Sequence, residues 1–260
     1  ESIPDKTITV KYGVFPDNEG FNESANQFWV GAQLNLLDCS LDEMGYLIPK
    51  YFVLEPDYLI DASSLAACFN NFFTSPLLYF KSNFEARENK KSLLLGNLAN
   101  FFLDELVFAE DIDSVDFNKV FFNSFKESPF EYTTCKDIDN EQDFRQFMSN
   151  ALLQFQNIKR VIKNDFPEFG IQVEQCILEP SFFSEQFGFQ GRLDLLQLSN
   201  NDNNCKIVEL KSGSVPYHSI SKGNTWINHE VQTAIYRLMI ESVFNRSARK
   251  IDASILYSAT

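Results

Sequence analysis

The sequence predicts a mixed α/β (α+β) fold in which helices flank a mixed sheet, with a small β-rich segment at the N-terminus. Two observations lead to this prediction. Between residues 142 and 257 the expected order is helix, strand, strand, strand, helix, strand, which suits a mixed sheet covered by helices. Residues 1–59 instead contain short apolar runs separated by Pro, Asp, Asn and Gly turns.

The elements follow in order along the chain. The N-terminal strand candidates are Thr7–Phe15, Phe28–Leu37 and Tyr46–Leu54. The helix candidates are Ala62–Phe73, Ser75–Asn83, Lys90–Phe108, Phe117–Ser128, Gln142–Asp165 and Ile227–Phe244. Further strands are expected at Ile171–Leu178, Gly188–Leu198 and Ile251–Tyr257, with one more around residues 205–211. We predict two domains, residues 1–59 and residues 60–260.

The polar run 199–204 predicts a β-hairpin between the last two of the three consecutive strands. If the turn is centred between residues 201 and 202, Asp194 lies directly opposite Glu209, and Lys211 shares their face. Like charges placed opposite each other are destabilising, and hard cations take oxygen ligands, so the pair indicates a divalent metal site. A surface hairpin with solvated ion pairs is the alternative, and a bulge would flip the faces.

Polar residues also recur along the helix that follows. His229, Gln232 and Tyr236 are spaced to lie on one face of the helix Ile227–Phe244. A half-exposed polar face explains this stripe as well as a functional role does. Glu174 or Glu179 could add a carboxylate near the hairpin, or either could lie on the surface.

Together these motifs resemble a known family. Gly191-x-x-Asp194, Glu209-x-Lys211 and Gln232-x-x-x-Tyr236 resemble, in that order, the PD-(D/E)xK nuclease superfamily. The closest similarity is to its RecB-like branch, which includes CRISPR adaptation nucleases and the nuclease domains of replication helicase-nucleases. Upstream, Gly96-x-x-x-Asn100 resembles the first motif of the branch, and residues 63–80 resemble its N-terminal helix. The resemblance covers roughly residues 60–260.

The resemblance implies a restriction-endonuclease-like fold and metal-dependent hydrolysis of phosphodiester bonds in DNA. Asp194 and Glu209, with the Leu210 carbonyl and Asn100, would hold one or two Mg²⁺ or Mn²⁺ ions. Lys211 would position or deprotonate water, or stabilise the transition state.

The remaining residues that the resemblance singles out would act around that centre. Gln232 and Tyr236 would orient Lys211 or contact the DNA backbone. Arg192, His229 and Lys222 are the expected DNA-binding residues. The implied partner is single-stranded or flap DNA, in replication or repair, with a helicase region in the same polypeptide.

Two departures from the family pattern matter. Asn100 replaces the metal-binding histidine of the first motif, and an amide oxygen suits Mg²⁺ better than softer metals. Cys68 matches the first of four iron–sulfur ligands, but the chain supplies no others, so a cluster would form only in a longer chain. The alternative function is therefore a degenerate nuclease-fold module that binds DNA or protein without cleavage.

Charge limits the DNA-binding surface. The net charge is −14, but residues 146–260 carry 11 acidic and 11 basic side chains, so the acidity lies outside the motif-bearing stretch. Phosphate binding depends on the local field more than on total charge. Lys159, Arg160 and Lys163 could line a DNA groove or form a solvated helix face. The 27 phenylalanines indicate an aromatic core, or less directly a base-stacking surface.

Composition also indicates the compartment. The five cysteines are scattered and odd in number, which favours free thiols in a reducing cytoplasm over disulfides or a zinc site. No signal peptide and no run of eighteen apolar residues is found, so we expect no membrane association. The chain begins with Glu1 and ends just after a strand, and we expect it to be a fragment of a longer polypeptide.

Overall fold

A computed structural model describes residues 7–26, 28–55, 57–70, 72–85, 88–198, 204–216, 225–244 and 250–260. The chain forms two compact units. The smaller unit contains residues 1–60 and 183–190, and the larger contains residues 61–182 and 191–260. The predicted domains, residues 1–59 and 60–260, stay a prediction.

The smaller unit is built from short strands. β1 (Leu34–Leu37) pairs antiparallel with β4 (Tyr51–Leu54), and β2 (Ser40–Leu41) pairs antiparallel with β3 (Leu47–Ile48). Phe52 of β4 packs edge-to-face against Phe28 and against Phe21 of helix α1 (Phe21–Ala25). Of the expected strand Thr7–Phe15, only a single bridge at Val10 forms. The chain passes between the units within β5 (Ile60–Asp61), β7 (Ser181–Ser184) and β8 (Phe189–Arg192).

A four-stranded mixed sheet forms the centre of the larger unit, in the order β11-β10-β9-β6. Its strands are β6 (Cys176–Leu178), β9 (Leu195–Leu198), β10 (Cys205–Lys211) and β11 (Ile251–Tyr257). β10 runs parallel to β11 and antiparallel to β9, and β9 runs antiparallel to β6. The predicted fold class, a mixed sheet flanked by helices, is confirmed.

The helices of the larger unit are α2 (Ala62–Ala66), α3 (Leu77–Phe84), α4 (Lys91–Val107), α5 (Phe117–Glu127), α6 (Pro129–Thr133), α7 (Glu141–Arg160), α8 (Phe166–Glu168) and α9 (Ile227–Phe244). Short 3₁₀ helices span Ile112–Ser114 and Val173–Gln175, and a π-helix, Val161–Asp165, links α7 to α8. Three of the helices begin at side-chain caps that accept the backbone N–H three residues later: Asp61 for α2, Asp116 for α5 and Asn140 for α7. Of the helices in the described part of the chain, none combines the length and hydropathy needed to cross a bilayer.

One face of the sheet carries the aromatic core. Phe102 of α4 is fully buried and packs against Phe117 of α5 and Phe155 of α7. Leu195 of β9 and Val208 of β10 belong to the same buried cluster. The next residues along these strands point to the opposite face because side chains alternate. Glu209 accordingly meets Gln232 of α9 there, so the sheet lies between the α4/α7 layer and α9.

The structure differs from the expected elements at several places. The expected strand Phe28–Leu37 forms only at β1, Tyr46–Leu54 divides into β3 and β4, and Ile171–Leu178 forms only at β6. The expected strand Gly188–Leu198 breaks into β8 and β9 around residues 193–194, and β7 was not predicted. The expected helix Ala62–Phe73 ends at Ala66. In contrast, α9 and β11 have the predicted bounds, Ile227–Phe244 and Ile251–Tyr257.

Candidate active site

The candidate site begins where the β9–β10 ladder ends. Four pairs, from Cys205↔Leu198 to Val208↔Leu195, have the predicted register, whereas the predicted turn 199–204 lies almost wholly outside the described residues. Asp194 and Glu209 come directly after the last pair. Instead of continuing the ladder, the Leu210 N–H donates to the Asp194 carboxylate at 2.6 Å. The Asp194 carboxylate therefore takes the position where a strand carbonyl would otherwise pair.

The Leu210 carbonyl is directed by the same geometry. In a strand, the N–H and C=O of one residue point to the same side, because antiparallel partners exchange both bonds through one pair of residues. Since the Leu210 N–H points to Asp194, its carbonyl points to that open side as well. The backbone thus offers an oxygen where the two strands separate.

A second group of contacts orients Lys211. Its ammonium donates to Glu209 Oε1 at 2.9 Å and to Gln232 Oε1 at 2.8 Å. Gln232 Nε2 in turn donates to Glu209 Oε1 at 2.7 Å and lies within hydrogen-bond distance of two further acceptors, Ser63 Oγ at 3.0 Å and Tyr236 Oη at 3.2 Å. The predicted face of α9 therefore brings Gln232 and Tyr236 together with Lys211.

Tyr236 is held between the strand and α2. Its hydroxyl donates to the Arg192 carbonyl at 2.8 Å, and its ring is fully buried. A methyl group added at Gly191 would lie 2.8 Å from the Tyr236 ring and 3.2 Å from Ala62 Cβ. Gly191 is thus required for close packing, which is a common reason for glycine within a strand.

The negative charge of the Glu209 carboxylate is only partly compensated by its neighbours. Its side chain is buried, and Oε2 has no hydrogen-bond partner among the described residues. Burial first, and the nearby Asp194 carboxylate second, raise the pKa of Glu209 to about 7, although Lys211 acts in the opposite direction. Burial also raises the pKa of Asp194. The buried Glu209 carboxylate and the partly buried Asp194 carboxylate share one ammonium, that of Lys211, which leaves room for further positive charge.

Asp104 is a carboxylate of this neighbourhood that sequence reasoning missed. It lies on α4, and burial, followed by the charges of Glu179 and Asp194, raises its pKa to about 6. Glu179 has a positive φ of 48° and donates its N–H to the Asp194 carbonyl, while its carboxylate pairs with Arg192 at 3.1 Å. The only local signal for Asp104 was an acid within the largely apolar run 98–107.

The other predicted residues are distributed as follows. His229 Nδ1 lies 2.9 Å from the Tyr257 hydroxyl, and burial, followed by Lys211, lowers the pKa of His229 to about 4. Asn100 is partly buried on α4, one turn from Asp104 on the same helix face. Cys68 is buried and donates its thiol to the Ser64 carbonyl. Lys222 lies outside the described residues.

The residues fit a divalent cation. Within the described ranges, no three His, Cys, Asp or Glu side chains already surround a common metal position. However, the unpartnered Glu209 Oε2, the Asp194 carboxylate and the Leu210 carbonyl supply oxygen ligands, which hard cations prefer. Asn100 shares the α4 face with Asp104.

Two of the basic residues of α7 and the π-helix have a partner in Asp113. Lys163 pairs with the Asp113 carboxylate at 2.7 Å, and Lys159 donates to the Asp113 carbonyl. Because these pairs are exposed, they fit both alternatives that the sequence leaves for this cluster, a DNA groove and a solvated helix face.

A comparison with families of known proteins gives a match. A family model described as the PD-(D/E)XK nuclease superfamily matches residues 103–260, which is more than half of the chain. The matched range includes β6 to β11 and α9, but excludes α2 and most of α4. No curated protein matches this chain.

The raised pKa of Asp104 predicts a pH dependence of stability. The folded state holds the Asp104 proton up to about pH 6, whereas an unfolded aspartate releases it near its ordinary pKa of 3.8. Between these values the folded state binds more protons, so this component of the unfolding free energy falls as pH rises from about 4 to about 6. Asp104→Asn should flatten that fall.

Urea unfolding of both proteins between pH 4 and 8 measures the difference. Glu127→Gln, which neutralises an exposed acid of α5, is the matched control and should keep the wild-type dependence. Parallel pH profiles for wild type and Asp104→Asn would contradict the burial of this carboxylate near the site.

Proposed function

This chain belongs to the PD-(D/E)XK nuclease superfamily, with its restriction-endonuclease-like fold, and we propose that it is a metal-dependent deoxyribonuclease of the RecB-like branch. Membership implies nuclease activity in general. The finer proposal is hydrolysis of phosphodiester bonds in single-stranded or flap DNA with Mg²⁺ or Mn²⁺. The observation that carries it is the buried, unpartnered Oε2 of Glu209 next to Asp194, beside a lysine held by two hydrogen bonds.

The proposed mechanism assigns separate roles to the two oxygens of Glu209. Oε1 accepts from Lys211 and Gln232 and so fixes the carboxylate plane. Oε2, with Asp194 and the Leu210 carbonyl, would hold the cation. A divalent cation there would supply positive charge beside the scissile phosphate and lower the pKa of a bound water.

Lys211 is the proposed catalytic residue. An ammonium has three N–H groups, and two of them donate to Glu209 and Gln232. The third is then available to position the attacking water or to stabilise negative charge that develops on the phosphate. Gln232 and Tyr236 keep the ammonium in place, because their own partners are fixed by β8, β10 and α2.

Arg192 is the proposed contact to DNA at the edge of the site. Its side chain is 58% exposed and pairs with Glu179. An exposed ion pair contributes little to stability, so exchanging Glu179 for a DNA phosphate costs little. His229 would act differently, because its lowered pKa keeps the imidazole neutral at neutral pH, and its contact to DNA would be a hydrogen bond rather than an ion pair.

A non-catalytic module that binds DNA or protein is the second candidate. Asn100 in place of the family's first-motif histidine and the net charge of −14 favour it. The nuclease is favoured by the presence of the complete motif set, which is Asp194, Glu209, Lys211, Gln232 and Tyr236. Burying the charged members of this set is costly unless a function uses them. A helicase region in the same polypeptide, an iron–sulfur cluster through Cys68 in a longer chain and a cytoplasmic location are proposals that rest on the resemblance and composition.

Replacing Lys211 tests the nuclease directly. Lys211→Met keeps the length of the side chain but removes the ammonium, and the cleavage rate should fall at least about a hundredfold. The assay follows end-labelled single-stranded, flap and blunt duplex DNA with Mg²⁺ or Mn²⁺. Circular dichroism and thermal unfolding should show an intact fold.

Lys206→Met, the same substitution on the same strand, is the matched control and should cleave at the wild-type rate. Wild-type cleavage by a well-folded Lys211→Met protein would contradict the mechanism. A wild-type protein that binds DNA but never cleaves it would favour the non-catalytic module.

Replacing Arg192 tests the DNA contact. Arg192→Ala should weaken binding of single-stranded DNA and reduce the slope of log K against log salt by about 0.7, the value for one phosphate contact. Fluorescence anisotropy in the Lys211→Met background keeps the DNA intact. Arg145→Ala, which removes an exposed arginine paired with Glu141, should leave the slope unchanged. Equal slopes for the two variants would exclude a phosphate contact by Arg192.

A further inference from the structure

Helix α2 contributes to the site although it lies upstream of the matched residues 103–260. Its residue Ser63 places Oγ 3.0 Å from Gln232 Nε2, across 169 residues of sequence. Ser63 is itself exposed, so no packing requirement explains a serine there. A hydroxyl is the group that distinguishes it from alanine at this contact.

The orientation of the Gln232 amide decides how Lys211 is held. Oε1 accepts from the Lys211 ammonium, and Nε2 donates to Glu209. If the amide were rotated by half a turn, Nε2 would face the ammonium and Oε1 would face the carboxylate, so both contacts would become repulsive. Glu209 uses one of the two Nε2 hydrogens, and Ser63 is the nearer of the two remaining acceptors, at 3.0 Å against 3.2 Å for Tyr236.

Gln232 also connects Lys211 to the strand that leads to Asp194. Its Nε2 lies 3.2 Å from the Tyr236 hydroxyl as well as 3.0 Å from Ser63 Oγ. The Tyr236 hydroxyl donates to the Arg192 carbonyl, two residues before Asp194. A chain of polar contacts therefore runs from the Lys211 ammonium through Gln232 and Tyr236 to the backbone of β8, with Ser63 bound to the same Gln232 amide.

The position of Ser63 is fixed by its own neighbours. Asp61 caps α2 by accepting the Ser64 N–H at 2.8 Å and the Ser64 hydroxyl at 3.0 Å. The fully buried Ala62 packs closely against Gly191, since a Cβ added at Gly191 would lie 3.2 Å from Ala62 Cβ. Both contacts hold the first turn of α2 beside β8 and α9, so the Ser63 hydroxyl is presented by a rigid element.

We propose that Ser63 is a positioning residue whose hydroxyl holds the Gln232 amide, and through it the Lys211 ammonium, in the reactive orientation. The proposal rests on the proposed nuclease function and adds to it a residue from outside the matched region. Ser63 does not contact the reacting atoms; it acts on Lys211 through Gln232.

A matched pair of variants isolates the hydroxyl. Ser63→Thr keeps it, whereas Ser63→Val has the same branched shape and also fills the space that a replacement water would take. Loss of one hydrogen bond predicts a kcat about three- to tenfold lower for Ser63→Val than for Ser63→Thr. KM for DNA should be the same in both, because the effect is on the chemical step.

Ser82→Ala removes an exposed hydroxyl of α3 that donates to the Tyr79 carbonyl of its own helix, so it should keep the wild-type kcat. Matching thermal unfolding of all variants excludes a simple loss of structure.

A second measurement does not depend on cleavage. The side-chain NH₂ signals of Gln232, identified by their absence in Gln232→Met, should exchange with water about three- to tenfold faster in Ser63→Val than in Ser63→Thr. Equal exchange in the two variants overturns the proposal, and so does equal kcat in an active enzyme. An inactive wild type defeats the nuclease function instead, while the exchange comparison still decides whether Ser63 holds Gln232.

Discussion

The end of the β9–β10 ladder is the constraint on which the rest of the site depends. Where the two strands pair, their backbone N–H and C=O groups hydrogen-bond to each other. The side chains there can then be apolar, as they are at Leu195, Leu196, Ile207 and Val208. One residue further the strands separate, and the Asp194 carboxylate satisfies the Leu210 N–H instead. The acidic oxygens of the site therefore lie at the point where β9 and β10 separate within the sheet.

When these acids are removed from water, their negative charge has to be compensated by nearby groups, and this explains the remaining contacts. Lys211 neutralises one charge, and the Gln232 amide fixes both the ammonium and Glu209 Oε1 without adding charge. Burial nevertheless keeps the pKa values of Glu209 and Asp194 raised, so their negative charge is not fully compensated by Lys211. A divalent cation at Glu209 Oε2 would compensate this negative charge. The electrostatics therefore support a metal-dependent function rather than a purely structural ion pair.

Some of this arrangement could be predicted from the sequence because it depends on local periodicity. The hairpin register follows from the polar turn and the two-residue alternation of the strands, and the 3.6-residue period places Gln232 and Tyr236 on one face of α9. These rules use only neighbours along the chain. They predict that Asp194, Glu209 and Lys211 lie near one another, but they do not predict that the ladder ends at Leu195 and Val208, one pair before Asp194 and Glu209.

The rest depends on contacts between distant segments, which periodicity does not encode. The approach of α4 makes Asp104 part of the acidic neighbourhood, and that of α2 brings Ser63 to Gln232. The break between β8 and β9 was missed for the same reason, although Gly191 marks the close approach of Tyr236.

The most direct test of the account is a crystal of the protein soaked in Mn²⁺ and examined by anomalous scattering. The account predicts an anomalous peak in contact with Asp194 and with Oε2 of Glu209, and no such peak in Glu209→Gln crystals treated identically. A Glu209 Oε2 that stays without a cation at saturating Mn²⁺ would contradict it.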